Sequence, residues 1–247
     1  MIDSSVLQSM VDYASLKQND VVLDIGAGLG FLTRFLANKC EKVLAVESDE
    51  RLVEGLHEQL KDLPKVKIVE GDVFKVRLPQ FSKVVSIPPY HISSHLLLWL
   101  FRQKFDCAVL ILQKEFANRI AATVDSEDYG WLAVVAYYYA EVELLNDVPK
   151  WMFYPQPKVD SVVVRLKPKS PRPFTLKSET LFKQLTQSLF ARRNRKVKNA
   201  VTPFIRGAYA TRAESVTKMV QDFPFRDKRA RELAPEDFGA LSNALVE

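Results

Sequence analysis

Cysteine is nearly absent from this chain, with only Cys40 and Cys107 among 247 residues. Two isolated thiols build neither a disulfide framework nor a zinc site, so a reduced, cytoplasmic compartment is the expectation. Long apolar runs are missing as well. The most apolar stretches, Leu96–Phe101 and Leu132–Tyr139, fall well short of the ~18–20 residues needed to cross a bilayer, and no membrane partner is expected. The opening Met1-Ile2-Asp3-Ser4 lacks a basic segment leading into an apolar core, so no secretory signal is expected. Histidine is scarce, and no Ser-His-Asp or Cys-His arrangement can be assembled. His91 and His95, four apart, can share a helical face, but no carboxylate motif accompanies them, so no metal is expected.

What is present is an ordinary globular composition with an uneven charge. Apolar residues make up 47% and charged residues 26%, which excludes a membrane or low-complexity class. Residues 1–167 carry 19 Lys/Arg against 22 Asp/Glu, whereas residues 168–247 carry 16 against 8. The basic character belongs to the last third, as in a polyanion-binding appendage, although a solvated Lys/Arg-rich helical surface gives the same excess.

The pattern along the chain divides at the same place. Residues 4–16 read as a helix with Val6, Met10, Val11 and Ala14 on one face. Val21–Ile25, Lys42–Glu47, Val66–Glu70, Ser82–Ser86 and Cys107–Gln113 read as strands. Helices are expected over Gly30–Lys39, Asp49–Lys61, Ser93–Phe101 (from a Ser cap) and Lys114–Thr123. Tyr137–Leu145 and Ser161–Lys167 look like an antiparallel pair. Strands alternating with helices predict a doubly wound α/β sheet. The segment Lys167-Pro-Lys-Ser-Pro-Arg-Pro173 cannot sustain a helix or a central strand and reads as a linker. Beyond it only helices are expected: Glu179–Phe190, Lys196–Phe204, Arg212–Gln221 and Asp237–Leu245. Two domains follow, 1–167 and 168–247.

Three acids and three glycines mark a cofactor site. Gly26, Gly28 and Gly30 lie in Asp24-Ile-Gly-Ala-Gly-Leu-Gly30, where a strand turns into a helix and backbone amides can face a ligand. The spacing differs from the dinucleotide fingerprint and argues against NAD. Asp24 can engage an amine or order the turn, Glu47 can accept both hydroxyls of a ribose, and Asp72 can accept the amino group of an adenine. All three end strands, where open α/β sheets bind ligands. A cofactor with a positive ammonium and sulfonium suits an acid here better than a pyrophosphate does, which points to S-adenosyl-L-methionine.

At the same edge, Ser86-Ile-Pro-Pro-Tyr90 follows the fourth strand. Pro88 and Pro89 stiffen the loop and remove N–H donors, leaving carbonyls to receive an amino group. Tyr90 offers a face on which an extruded base can stack, though a rigid turn with a core tyrosine has the same sequence. Far downstream, Arg192, Arg193, Arg195, Lys196 and Lys198 crowd five cations into seven residues, and Arg226, Lys228, Arg229 and Arg231 form a second cluster. Both are candidates for phosphate contact rather than base readout.

These segments resemble the ribosomal RNA adenine dimethyltransferase family almost from end to end. The resemblance rests on Asp24–Gly30, on Leu112-Gln-Lys-Glu-Phe-Ala-Asn-Arg-Ile120 with Asp128-Tyr-Gly130, on Phe153-Tyr-Pro-Gln-Pro-Lys-Val-Asp-Ser161, and on Phe190-Ala-Arg-Arg-Asn-Arg-Lys196 with Asn199. It implies a Rossmann-like, seven-strand S-adenosylmethionine-dependent methyltransferase sheet with a small all-helical C-terminal domain. The implied reaction dimethylates the 6-amino group of adjacent adenosines near the 3′ end of small-subunit rRNA, on a pre-30S-type ribosomal particle, with the protein acting as a monomer. The implied cofactor set is Ile2, Asp24, Gly26, Gly28, Gly30, Glu47, Ser48, Asp72, Val73 and Ser86. The implied catalytic set is Ser86, Ile87, Pro88, Pro89, Tyr90 and Phe153, with Phe153 stacking on the target base opposite Tyr90. The RNA-binding set is Arg192, Arg193, Arg195, Lys196 and Lys198.

Two departures accompany the resemblance. The family normally has Asn, or Asp in relatives, where this chain has Ile87, and Ile lacks the acceptor for one amino proton. A slower enzyme, an enzyme relying on the Pro88 carbonyl and water, and a weakly active rRNA-binding assembly factor are all compatible with that change. The family also carries a basic segment before Ile2-Asp3, so this start is expected to be truncated or misassigned.

Overall fold

The computed structural model describes residues 3–209 and 218–246. Ile2 and residues 212–217 of the expected Arg212–Gln221 helix lie outside the described residues, while 218–221 are helical. The chain forms two compact units, one of residues 1–117 with 140–168, the other of residues 118–139 with 169–247.

The first unit is a seven-stranded sheet: β1 (Val21–Ile25), β2 (Lys42–Glu47), β3 (Val66–Glu70), β4 (Lys83–Ser86), β5 (Cys107–Gln113), β6 (Ala140–Val148) and β7 (Ser161–Pro168). The spatial order is β3-β2-β1-β4-β5-β7-β6, a Rossmann-like arrangement in which the strand order reverses direction outward from β1. The first five strands run parallel, and β7 lies antiparallel to both β5 and β6. β1, β4 and β5 are buried along nearly their whole length, which is why they read as continuous apolar runs rather than alternating ones. On one face α1 (Ser4–Ala14) and α2 (Phe31–Ala37) bury Leu7, Met10, Val11, Leu32 and Leu36 against Val22, Val43, Val85 and Val109. Leu56 and Leu60 of α3 (Glu50–Leu60) cluster with Ala45. α3 starts where the Asp49 carboxylate accepts the Arg51 N–H at 3.0 Å. α4 (Ser93–Leu100) has no side-chain cap, unlike the expectation; Ser93 instead donates its hydroxyl to the Tyr90 carbonyl at 2.8 Å.

The second unit contains α6 (Trp131–Tyr139), α7 (Glu179–Phe190), α8 (Val197–Tyr209) and α9 (Pro235–Asn243); α5 (Lys114–Ala121) carries the chain into it. α6 replaces the first residues of the expected Tyr137–Leu145 strand. Seven of its nine residues are buried, so it has no polar face and no helical period to read. Its membership of this unit also differs from the single boundary expected at 167/168. The reason is packing. Tyr129, 1% exposed, donates to the Leu233 carbonyl at 2.8 Å and meets Phe190 edge-on at 5.4 Å. Tyr138 contacts the rings of Phe174 and Phe182, and Phe190 stacks on Phe238 at 5.3 Å.

Phe182 is fully buried among these rings. Phe182→Ala is expected to lower stability by about 3–5 kcal/mol, read from the shift of a urea unfolding curve at unchanged slope.

Candidate active site and basic surface

The strand-to-helix turn after β1 is held by its neighbours before any ligand is considered. Gly26 and Ala27 donate their N–H groups to the Val46 carbonyl at 2.8 and 3.0 Å. Gly26 has φ +71°, and a Cβ placed on it would lie 2.8 Å from Cδ of Pro89. The cofactor loop and the target loop therefore touch, and they touch because position 26 has no side chain. The Glu47 carboxylate, 7% exposed, accepts from Gly28 N at 2.9 Å and from Ser48 N and Asp49 N at 2.8 and 2.9 Å. Three backbone donors fix its orientation at the end of β2.

Beside this carboxylate lies a cavity of about 480 Å³. Its wall includes Gly26, Glu47, Ser48, Asp72 and Val73 from the expected cofactor set, together with Pro89. The Asp72 carboxylate accepts the Phe74 N–H at 3.0 Å and lies 3.6 Å from the Lys75 ammonium. His91 and His95 also face this cavity, and His95 stacks flat on Phe74 with centroids 3.9 Å apart. Asp24 does not line it. It is 1% exposed and accepts the Thr33 hydroxyl at 2.7 Å, tying β1 to α2. Of the two roles left open for Asp24, ordering the turn is the one this bond performs.

The target loop is braced from both sides. The buried Ser86 hydroxyl donates to the Ile25 carbonyl at 2.6 Å and accepts the Ile25 N–H at 3.1 Å, so its side chain is spent on joining β4 to β1. Ile87, Met152 and Phe153 all pack against the same buried cluster. Pro88 is buried and Pro89 exposed, and the Pro89 carbonyl accepts the Ile92 N–H at 3.1 Å. The half-buried Tyr90 shares a 2.5 Å hydrogen bond between its hydroxyl and that of Ser161 at the start of β7. Burial raises the Tyr90 pKa above its ordinary value, so the phenol stays neutral.

In the second unit Arg192–Arg195 form a turn after α7, not the start of a helix. An antiparallel bridge pairs Lys196 with Arg229, and Val197 N and Lys198 N donate to the carbonyls of Lys228 and Arg226. The two basic clusters are thus neighbours on one surface. Part of their charge is already used. Lys196 and Lys198 lie 3.4 and 2.8 Å from Asp227, which these lysines hold down at about 2. Arg193 donates two bonds to the Glu127 carbonyl at 3.2 Å. Arg192 and Arg195 are exposed and have no side-chain partner among the described residues.

The family profile described as "Ribosomal RNA adenine dimethylase" matches residues 1–230. The chain belongs to the ribosomal RNA adenine dimethylase family. It is 38% identical to the probable ribosomal RNA small subunit methyltransferase A of Methanosarcina mazei, over 100% of this chain and 90% of that protein. The corresponding Methanopyrus kandleri protein is 36% identical, over 99% and 89%. A dimethyladenosine transferase from Plasmodium falciparum superposes with a TM-score of 0.84 at 27% identity, covering 96% of this chain and 94% of that one. The 23S rRNA methyltransferase ErmE gives 0.71 at 25% identity, covering 99% and 98%.

Within this site, the residues brought in by tertiary contact were the ones the sequence did not reveal. Ser161 stood in the quoted Phe-x-Pro-x-Pro-Lys-Val-x-Ser segment, yet its role as the partner of Tyr90 depends on strand order. Phe74 carried no motif, and His95 stood out only through its spacing from His91, not as a stacking partner of Phe74.

Burial pushes the Asp24 carboxyl up to about 7 from an ordinary 3.8, with the Thr33 bond opposing and the Glu47 charge reinforcing. The folded protein therefore holds this proton where the unfolded chain has released it. Stability from this group is full below pH about 4 and declines as pH rises toward about 7. Asp24→Asn is expected to flatten that part of the urea midpoint against pH; an unchanged slope would contradict the assignment.

Proposed function

We propose that this chain transfers methyl groups from S-adenosylmethionine to the 6-amino groups of adjacent adenosines near the 3′ end of small-subunit rRNA, acting as a cytoplasmic monomer on a pre-30S-type particle. The observation that carries this reading is the contact of the Gly26 turn with Pro89, which joins a cavity lined by carboxylates to a Pro-Pro-Tyr loop. The residues fit the cofactor: Glu47 has the acceptors for a ribose diol, Asp72 for an adenine amine, and the glycines leave room for close approach. When bound, S-adenosylmethionine supplies an electrophilic methyl on a good leaving group, so the protein's task is positioning.

Tyr90, held by Ser161, offers one face to the adenine, and Phe153 is the proposed second face. Loop carbonyls of residues 86–89 accept hydrogen bonds from the amino group and so aim the nitrogen lone pair. Charge on the turn after α7 supports contact with RNA phosphates, Arg192 and Arg195 being the most available cations. No helix among the described residues is long and apolar enough to cross a membrane.

A second reading, a weakly active or non-catalytic rRNA-binding assembly factor, is favoured by Ile87 alone. An unpaired amino donor costs about 1–3 kcal/mol. Expressed only in the transition state, that is a factor of about 5 to 150 in rate. Labelled S-adenosylmethionine with unmethylated small subunits is expected to give slow incorporation by the native chain and a faster rate with Ile87→Asn. No incorporation by the native chain, restored by Ile87→Asn, would favour the assembly-factor reading.

RNA affinity is expected to fall linearly in log–log with salt. Arg192→Ala and Arg195→Ala should each lower the slope by roughly 0.7–0.9, and a salt-independent affinity would refute phosphate contact.

A further inference from the structure

The loop from β6 to β7 leaves two large aromatic rings in solvent. Trp151 is 68% and Tyr154 84% exposed, and they flank the partly buried Phe153, which packs against the same cluster as Met152 and Ile87. The loop backbone is pinned. Lys150 N donates to the Asp160 carboxylate at 2.9 Å, Lys114 N to the Asp160 carbonyl at 3.0 Å, and Phe153 N to the Lys150 carbonyl at 3.2 Å. Lys150 and Lys158 are exposed on the same loop, and its only acid, Asp160, is already engaged by those contacts.

An exposed tryptophan and tyrosine on a braced turn bring wide, rigid faces at little entropic cost on binding. Aromatic faces interleaved with cations suit a nucleic-acid single strand, because every base has a face and every phosphate a charge. The loop enters β7 at Ser161, which holds Tyr90, so this surface borders the target site.

We propose that Trp151 and Tyr154 form a stacking platform for an unpaired nucleotide flanking the methylated adenosine, with Lys150 and Lys158 meeting its phosphates. The proposal rests on the rRNA methyltransferase reading and adds to it a second base subsite, outside the pocket that holds the target.

The test uses the full chain and unmethylated small subunits. Trp151→Ala with Tyr154→Ala is expected to weaken binding and raise KM about 5- to 150-fold, with kcat and the unfolding temperature little changed. Trp151→Phe should recover part of the loss. The fold-change should persist as salt is raised, because stacking releases few counterions, whereas arginine variants on the basic turn lose their effect. A benzophenone amino acid in place of Trp151 should crosslink to rRNA beside the target adenosines. Native affinity and KM in the double variant, or crosslinks to a ribosomal protein instead, would overturn the platform while leaving methylation intact. Failure of the native chain to bind or methylate the subunits would overturn the underlying reading.

Discussion

Gly26 and Pro89 stand closer than any side chain at position 26 would permit, and most of the candidate site depends on that approach. The turn after β1 can lie against the loop after β4 only because the two strands are paired neighbours and because Ser86 bonds both backbone groups of Ile25. The serine is thus a clamp at the floor of the site. A side chain with no acceptor there would leave the Ile25 N–H buried and unpaired.

Carboxylates at this edge are treated in two different ways. Glu47 accepts three backbone N–H groups, and Asp72 has a lysine nearby. Asp24, with one hydroxyl for company, is driven toward its neutral form by burial. Two of the three acids at this edge therefore stand on β2 and the turn after β3 beside the cavity, while β1 supplies backbone geometry. Ile87 extends the apolar wall under the target loop, consistent with its packing beside Met152 and Phe153.

Much of this was legible in the residues. The parallel strands announce themselves because burial on both faces demands β-branched and aliphatic runs, and the glycines because positive φ has few other tenants. α6 was illegible for the opposite reason: a helix with seven of nine residues buried loses the period that would reveal it. The partial neutralisation of Lys196 and Lys198 by Asp227 was equally hidden, since the pairing spans a long stretch of intervening chain. Ser161 lay within a recognised segment, but only the antiparallel placement of β7 brings it to Tyr90.

The helical unit is assembled from two separate stretches of chain, 118–139 and 169–247. The polypeptide consequently passes between units three times, although the prolines at 168–173 look like the one natural seam. Severing the chain there would part Tyr129 and Tyr138 from the Phe182 and Phe190 rings they pack on. The helical unit is therefore no detachable module. An evolutionary shuffling event or a truncation that treated residues 169–247 as a cassette would inherit a core with one wall missing.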